Sequence, residues 1–333
     1  MRSIPTSTSD SPPTSETPDL RSRYDDLVAR SPQGSIFSTS WWLDAVAEDR
    51  WRMHTVEKGE ELVAAWPTVV RSSRWGPVHV GAGLTPFLGP ILRPGDGARQ
   101  RSRDIEALEL LLERIGPYAH LEARCSPTLD YWTPLRWHGF TQTTRYTWRL
   151  PPVEDAEEAV QRFGEKARGH IRAAEKSDVR VEDAPLQDFL DLRDREAAAH
   201  GIRLIMSREA VKRIDTAAEA HGAREILVAR DSEGRARAGA YLVHDDAFTY
   251  YLMSCTDGGV RGSAALVIRE AVRRAAQRGT GFDFEGSMLR PVEQFVRGFG
   301  GMPTPYSVVR HTPSRGFRAE RMAKRLVRRL VRR

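Results

Sequence analysis

Cysteine is scarce in this sequence, with only Cys125 and Cys255 among its 333 residues. The two lie far apart, and neither has a second cysteine or a histidine at metal-ligand spacing. This argues against a zinc site and against a disulfide framework. The nine histidines also lack the HExxH pattern of zinc proteases. We therefore expect two buried thiols and no metal site.

Long apolar runs are missing as well. No stretch approaches the roughly 18 apolar residues that a membrane-spanning helix needs. Residues 1–20 are rich in Ser, Thr and Pro and contain no apolar segment of the kind found in secretory signals. The sequence therefore predicts a disordered leader over residues 1–20 and a protein that stays in the cytoplasm.

Positive charge is concentrated at the C-terminus. Arg315–Arg333 contains nine basic residues and one acidic residue, so the rest of the chain carries about −2 of the formal net charge of +6. In a helix, five apolar residues would share one face: Met322, Leu326, Val327, Leu330 and Val331. This pattern predicts a basic amphipathic helix suited to an anionic membrane surface or to nucleic acid. A solubilising or partner-docking tail is the alternative.

The chain length favours two domains. Residues Phe140–Leu150 alternate with a period of two, which predicts a strand, and Pro151-Pro152 ends it. We place the boundary there. The predicted units are a leader (1–20), an N-terminal lobe (21–150), a C-terminal lobe (151–312) and a basic tail (313–333).

The predicted C-terminal lobe begins with the helix Glu154–Lys176, the strand Val179–Glu182 and the helices Leu186–His200 and Ser207–His221, and continues with elements in the order β-β-β-α-β-α-β. Turn residues separate the alternating runs, as in a meander. We therefore expect a mixed α/β fold. The main predicted elements are the strands Glu225–Arg230, Ala238–His244 and Ala247–Ser254, the helix Ala264–Arg278 and the strand Gly281–Glu285.

A glycine-rich turn, Gly258–Ser263, precedes the Ala264 helix. Backbone amides and the positive end of the helix dipole attract phosphate or an oxyanion at such a position. Arg261, Gly262 and Ser263 are therefore candidates for binding a phosphate-bearing donor. An ordinary strand-to-helix turn explains the same pattern equally well.

Two acids flank Phe284 in the predicted strand Gly281–Glu285. Asp283 and Glu285 would share one strand face, with Phe282 and Phe284 directed into the core. Two like charges this close raise the pKa of one of them, which suits a general base. Solvated acids at a strand end are the alternative.

A run of cations marks the helix that opens the C-terminal lobe. Lys166, Arg168, Arg172 and Lys176 recur at spacings of two to four, so much of their charge lies along one flank. Such a flank fits a phosphate-bearing ligand. A solvated helix face is the alternative.

Several local strings occur in the order typical of one family. The strings are Ile36–Leu43, Pro86–Pro90, Arg136–Phe140, Tyr146-Thr147, Lys166–Lys176, Phe282–Ser287 and Phe295–Gly301. Each is short, but their ordered combination covers Ile36 to His311. The chain resembles the GNAT superfamily and, within it, the Fem-like group of aminoacyltransferases and related acetyltransferases.

This resemblance implies two GNAT-like lobes, each a mixed sheet flanked by helices, with a cleft between them. It implies a transferase that joins an acyl or aminoacyl group to an amine acceptor, without a metal or redox cofactor. The implied catalytic residues are Asp283 and Glu285, and the implied donor-binding residues are Arg261, Gly262 and Ser263. The implied substrate-binding residues are Lys166, Arg168, Arg172, Lys176, Trp41, Tyr146, Tyr251 and Ser287.

Two donors fit the sequence. Aminoacyl-tRNA is favoured by the Fem-like strings, by the basic tail and by Gly259, which stands where the GNAT pyrophosphate loop usually has Gln or Arg. Acyl-CoA is favoured by the GNAT order of elements and by Arg261-Gly262-Ser263. A third alternative is a non-catalytic scaffold that residues 315–333 tether to a membrane or to RNA.

Overall fold

A computed structural model describes residues 18–153, 155–286, 288 and 290–331. The helices are α1 Pro18–Arg30, α2 Ser40–Ala47, α3 Gly97–Ile115, α4 Thr133–Trp137, α5 Ala156–Gln161, α6 Glu165–Lys176, α7 Leu186–His200, α8 Arg208–Ala220, α9 Ser263–Arg278, α10 Arg290–Arg297 and α11 Arg315–Val331. The strands are β1 Trp51–Lys58, β2 Glu61–Arg71, β3 Val78–Val80, β4 Ile91–Leu92, β5 His120–Arg124, β6 Thr141–Leu150, β7 Arg180–Asp183, β8 Arg224–Arg230, β9 Ala236–His244, β10 Phe248–Thr256, β11 Gly281–Asp283 and β12 Met302–His311. Most of the predicted leader lies outside the described residues, and 18–20 already belong to α1.

The strands form one mixed sheet in the order β1-β2-β3-β5-β12-β6-β11-β10-β9-β8-β7, with β4 paired to β2. The predicted mixed α/β class is therefore confirmed. Strand β12, the last in the chain, lies between β5 and β6, and β6 in turn pairs with β11. The sheet thus runs without interruption from the N-terminal half into the C-terminal half.

Helices cover both faces of this sheet. One apolar core contains α1 and α2 from the first half together with α7 and α8 from the second, and Trp42 and Tyr241 are among its fully buried members. A second core lies beneath α5, α6 and α9. The thiols of Cys125 and Cys255 are buried and free, as predicted. None of the described helices combines the length and the apolar character required to cross a bilayer.

The structure departs from the predicted elements at two places that matter for the site. The single helix predicted over Glu154–Lys176 is two helices, because the chain is extended at Gly164, whose amide donates to the Gly298 carbonyl. The strand predicted to reach Glu285 ends at Asp283. Glu285 has a φ of 52°, which belongs to the left-handed region and breaks the alternation of a strand.

A chain of polar side chains crosses the first half of the sheet. The Thr68 hydroxyl contacts His54 Nε2 at 3.0 Å and His79 Nδ1 at 2.9 Å. Burial lowers the pKa of each histidine to about 4, and for His54 the nearby His79 adds to the effect. Both rings are therefore neutral in the folded protein at neutral pH.

We expect the free energy of unfolding to fall as the pH drops from about 6.5 to about 4. Unfolded histidine titrates near pH 6.5, so below that pH the unfolded state binds protons that His54 and His79 in the folded state do not. One such histidine lowers stability by up to ~1.4 kcal/mol per pH unit across that window. Denaturant unfolding at several pH values measures the slope, and His79→Asn should reduce it. Equal slopes for the variant and the parent would contradict this assignment.

Candidate active site

The parallel strands β10 and β11 separate at the centre of the second half. They pair only over three positions: Phe248 with Gly281, Thr249 with Phe282, and Tyr250 with Asp283. A bulge in β10 between Tyr251 and Met253 follows at once. From Leu252 to Thr256, the side of β10 facing away from β9 has no strand partner within the described residues. The divergence leaves an opening with backbone groups available on one wall.

A cavity of about 520 Å³ occupies this opening. Its walls are β10, the first turns of α9, α7, α10 and the segment after β11. The polar residues that line it are Glu196, Tyr251, Ser254, Thr256 and Glu285. Every lining residue falls between Glu196 and Val296, so this cavity lies within the C-terminal half and not in a cleft between two lobes.

Glu285 is the most perturbed acid in the cavity. Its Oε1 atom is buried and has no hydrogen-bond partner among the described residues. Burial raises the pKa of the carboxyl well above its ordinary value, the charge of Asp283 raises it further, and Arg124 opposes both. An unpartnered buried oxygen and a left-handed backbone both cost free energy, and such costs cluster at functional sites. These features make Glu285 a candidate for the functional acid of this cavity.

Asp283 has a different role from the one its spacing suggested. Its side chain is fully buried and accepts hydrogen bonds from the Thr147 hydroxyl, from Arg149 Nε at 2.7 Å and from the Glu285 amide at 2.9 Å. With these three donors it holds the turn that presents Glu285. The two acids do not share a face, because β11 ends between them.

Glycine is required next to Glu285. A Cβ atom on Gly286 would lie 1.9 Å from the carbonyl oxygen of Tyr146. The Gly286 amide also donates a hydrogen bond to the Thr147 hydroxyl at 3.1 Å. The turn after β11 is thus fixed against β6 on both sides of the acid.

The turn into α9 forms a second wall of the site. Gly262 has a φ of 91°, and a Cβ atom there would lie 1.9 Å from the His170 carbonyl oxygen, so α6 packs directly on the turn. No side chain caps the helix, which leaves first-turn amides available to an anion. The buried Ser263 hydroxyl donates to the Val260 carbonyl at 2.9 Å and so stabilises the turn itself. Arg261 is exposed beside it.

The cations of α6 divide between two flanks. Lys166 and His170 line a smaller cavity of about 280 Å³ between α6, α9 and α10. It shares Pro291 and Phe295 with the larger cavity, so the two spaces adjoin. Burial and the positive charges of Arg261 and Lys166 lower the pKa of His170.

The other three cations of α6 are exposed on a different flank, at intervals of four residues. They are Arg168, Arg172 and Lys176. Arg168 donates to the Phe163 carbonyl and thereby ties α6 to the preceding segment. The single cationic flank suggested by the sequence is thus a pair of flanks, and the one with Lys166 borders a cavity.

The remaining predicted substrate-binding residues lie in different places. Tyr251 lines the larger cavity, and burial raises the pKa of its hydroxyl. Trp41 stacks on His221 at 4.3 Å between α2 and α8, and Tyr146 is on β6 with 44% of its surface exposed. Neither lines that cavity. Ser287 lies outside the described residues.

Glu196 is a site residue that the sequence did not indicate. It lies on α7 and lines the larger cavity, and burial raises the pKa of its carboxyl. In the sequence it is one of several charged residues in an ordinary helix, Leu186–His200. Only the packing of α7 against β10 brings it to the cavity that contains Glu285.

Solved structures identify the fold. A structure of FemX is 14% identical and covers 86% of this chain and 95% of its own, with a TM-score of 0.68. L-PGS from Bacillus licheniformis is 12% identical and covers 96% of this chain and 99% of its own, with a TM-score of 0.55. A tandem GNAT protein from the clavulanic acid biosynthesis pathway is 13% identical, covers 88% and 94%, and has a TM-score of 0.51. The predicted GNAT and Fem-like fold is confirmed.

These likenesses are in structure and not in sequence. No protein-family model matches the chain, and no curated protein is significantly similar to it. At 12 to 14% identity the comparisons establish the fold alone. What the site does is therefore argued from its own residues.

Proposed function

We propose that this protein is an acyltransferase that forms an amide bond between an activated acyl or aminoacyl donor and an amine acceptor. The observation that carries the proposal is the Glu285 carboxyl. It has a raised pKa and an unpartnered oxygen, and it faces a cavity between diverging strands beside an uncapped helix N-terminus. A proton acceptor and oriented amides around one cavity are the parts that acyl transfer to an amine requires.

In the proposed reaction the acceptor enters as an ammonium ion and gives one proton to the Glu285 carboxylate. The neutral nitrogen attacks the donor carbonyl carbon, and the oxygen of the tetrahedral intermediate takes up negative charge. Backbone N–H groups on the open side of Leu252–Thr256 hold that oxyanion. The nitrogen of the intermediate then gives its extra proton to water, the bond from carbon to the leaving oxygen or sulfur breaks, and the proton on Glu285 passes to the leaving group.

Glu196 supplies a second carboxyl to this cavity, from α7. We assign it the role of binding the ammonium group of the acceptor, because a partly buried carboxylate attracts a cation strongly. Of the two acids, only Glu285 has a buried oxygen without a hydrogen-bond partner among the described residues. This difference fits the assignment of proton transfer to Glu285 and of ammonium binding to Glu196.

The donor enters, in this proposal, along α6 and the α9 turn. Lys166, His170 and Arg261 lie around the smaller cavity, next to the amides of the helix N-terminus. Positive side chains and free amides together favour phosphate groups. Aminoacyl-tRNA is the donor we favour, because the further cations of α6 extend the positive surface beyond what a small cofactor covers. The uncapped turn at Gly262 and Ser263 also suits the pyrophosphate of acyl-CoA, which is the second candidate.

The third alternative, a non-catalytic scaffold with a tether, gives no reason for Glu285 to remain buried without a partner. An acid in a scaffold would be expected to be hydrogen-bonded or exposed. We therefore rank the scaffold below either transferase.

A mass-shift assay distinguishes the donors. The purified protein is mixed with candidate amines and supplied in parallel with charged tRNA or with acyl-CoA. We expect an amide product with charged tRNA, and we expect ribonuclease treatment to abolish it, since only that donor contains RNA. A product that needs acyl-CoA and survives ribonuclease would replace the favoured donor by the second. No product with either donor over a broad amine panel would contradict the proposed function.

A further inference from the structure

Helix α11 is anchored to the protein through its first turns. The Phe317 ring stacks on His120 with centroids 5.4 Å apart, and Arg321 donates to His120 Nε2 at 2.7 Å. On the adjacent side Glu320 accepts a hydrogen bond from Trp75 Nε1 at 2.8 Å. These contacts hold the helix in a defined orientation next to the start of β5 and the end of β12.

The helix exposes apolar side chains beyond this anchor. Met322, Leu326 and Val327 have 62%, 60% and 58% of their surface exposed. At 100° per residue, Met322 and Leu326 lie about 40° apart and point away from the face that contacts His120. Three neighbouring exposed apolar side chains on a helix rich in arginine are typical of an interfacial helix.

A cationic cavity of about 520 Å³ adjoins the same helix. Arg310, Arg318 and Arg321 line it together with His120, Thr312 and Met322, and no carboxylate is among its lining residues. Arg310 is paired with Glu122 at 2.6 Å. Arg318 and Arg321 have no paired carboxylate among the residues that the structure describes, so their charges are uncompensated.

The hydrogen-bond directions leave donors available in this cavity. Arginine only donates, so His120 Nε2 accepts from Arg321 and the ring hydrogen lies on Nδ1. That Nδ1 hydrogen is donated to the Thr312 hydroxyl at 2.8 Å, which leaves the hydroxyl hydrogen for another acceptor. Arg318 uses one nitrogen to donate to the Thr312 carbonyl and has further N–H groups. Guanidinium and hydroxyl donors in this arrangement suit a phosphate.

We propose that α11 and this cavity form a binding site for an anionic phospholipid at a membrane surface. The lipid phosphate is held in the cavity by Arg318 and Arg321, and Met322, Leu326 and Val327 enter the boundary of the acyl chains. Met322 both lines the cavity and begins the exposed apolar face, so the two parts are continuous, as the phosphate and acyl chains of one lipid are. RNA would account for the cations but not for the exposed apolar side chains.

The inference is independent of the proposed reaction, because the site lies where β5 begins and β12 ends and shares no lining residue with the cavity around Glu285. Failure of one does not affect the other. An acylation assay on a soluble amine reports the reaction, whereas vesicle binding reports this site.

The test is co-sedimentation of the full-length chain with vesicles of phosphatidylcholine alone and of phosphatidylcholine mixed with phosphatidylglycerol. We expect binding only to the mixed vesicles. Arg318→Gln should weaken it about fivefold, which corresponds to the ~1 kcal/mol that one basic residue contributes at an anionic surface. Arg315→Gln, which removes the same charge from an exposed residue outside the cavity, is the matched control and should have a smaller effect.

Leu326→Gln tests the apolar part. Its side chain is exposed, so the substitution should leave the fold intact, yet binding to mixed vesicles should fall about tenfold or more because one leucine no longer enters the acyl boundary. Equal binding to both vesicle types, or equal effects of Arg318→Gln and Arg315→Gln, would overturn the proposal. The proposal would also be overturned if Leu326→Gln bound the mixed vesicles as tightly as the parent does. Tight binding to a short RNA that needs Arg318 but not Leu326 would overturn it as well. Binding of inorganic phosphate without any binding to vesicles would show that the cavity holds a small anion instead.

Discussion

Glu285→Gln should lower kcat by about 100- to 10,000-fold, the range that a positioned general base contributes. Glutamine preserves the size of the side chain and its hydrogen-bonding oxygen but accepts no proton. The substitution also removes a carboxyl with one buried oxygen that has no hydrogen-bond partner among the described residues, so the protein should be as stable as the parent or slightly more stable. Thermal unfolding and single-turnover rates, measured on the same preparation, separate the two effects. If the variant folds and has the turnover of the parent, Glu285 takes no part in the reaction.

Glu196→Gln is the matched control, because it makes the same change in another acid that lines the same cavity. If Glu196 binds the acceptor's ammonium group, the variant should raise KM for the amine much more than it lowers kcat. Glu285→Gln should do the reverse. Identical kinetic effects of the two substitutions would show that the acids do not divide the roles as proposed.

The pH dependence gives a further signature of Glu285. Burial and the Asp283 charge raise the pKa of Glu285. As the pH is lowered, kcat/KM should therefore begin to fall at a pH well above the pKa of an ordinary glutamate. Activity is present where the carboxyl is ionised and falls as the pH drops through the raised value. Glu285→Asp should keep such an acid limb at lower rate, whereas Glu285→Gln should have none.

The sequence predicted the elements around this site better than it predicted the site itself. The alternation at β6, the meander of β8 to β10 and the position of α9 follow from periodicity and turn residues, which are local properties. The roles of Asp283 and Glu285 are not local. They depend on where the strand ends. It ends at Asp283, whose carboxyl accepts hydrogen bonds from Thr147 and Arg149, more than 130 positions away.

Two other features were also beyond local reasoning. Glu196 reaches the cavity only because α7 packs against β10, and the sequence around it indicates an ordinary charged helix. The insertion of β12 between β5 and β6 depends on a pairing across more than 150 residues. Such long-range pairing is set by the whole sheet and not by the strand's own pattern.

Arg149→Leu should lower the free energy of unfolding by roughly 3–5 kcal/mol, the usual cost of removing one partner of a buried ion pair. Asp283 has no exposed surface, and Arg149 also lies 4.2 Å from the centre of the Phe248 ring. Without the guanidinium, a buried carboxylate keeps only neutral donors. Denaturant unfolding measures the loss. The exposed pair Arg297–Glu293 provides the control, since Arg297→Leu should cost no more than about 1 kcal/mol.

The double variant Arg149→Leu/Asp283→Asn decides whether charge is the cause. If it is, the double variant should recover part of the loss, because no uncompensated charge then remains buried, and the two substitutions should be clearly non-additive. Turnover should stay low even where stability returns, because the neutral asparagine oxygen accepts the hydrogen bonds from Thr147 and the Glu285 amide more weakly than the Asp283 carboxylate does, and the bond to Arg149 is lost. Full recovery of turnover would contradict the assignment of Asp283 as the residue that positions Glu285, and a cost for Arg149→Leu equal to that of Arg297→Leu would show that the pair contributes no more than a surface contact.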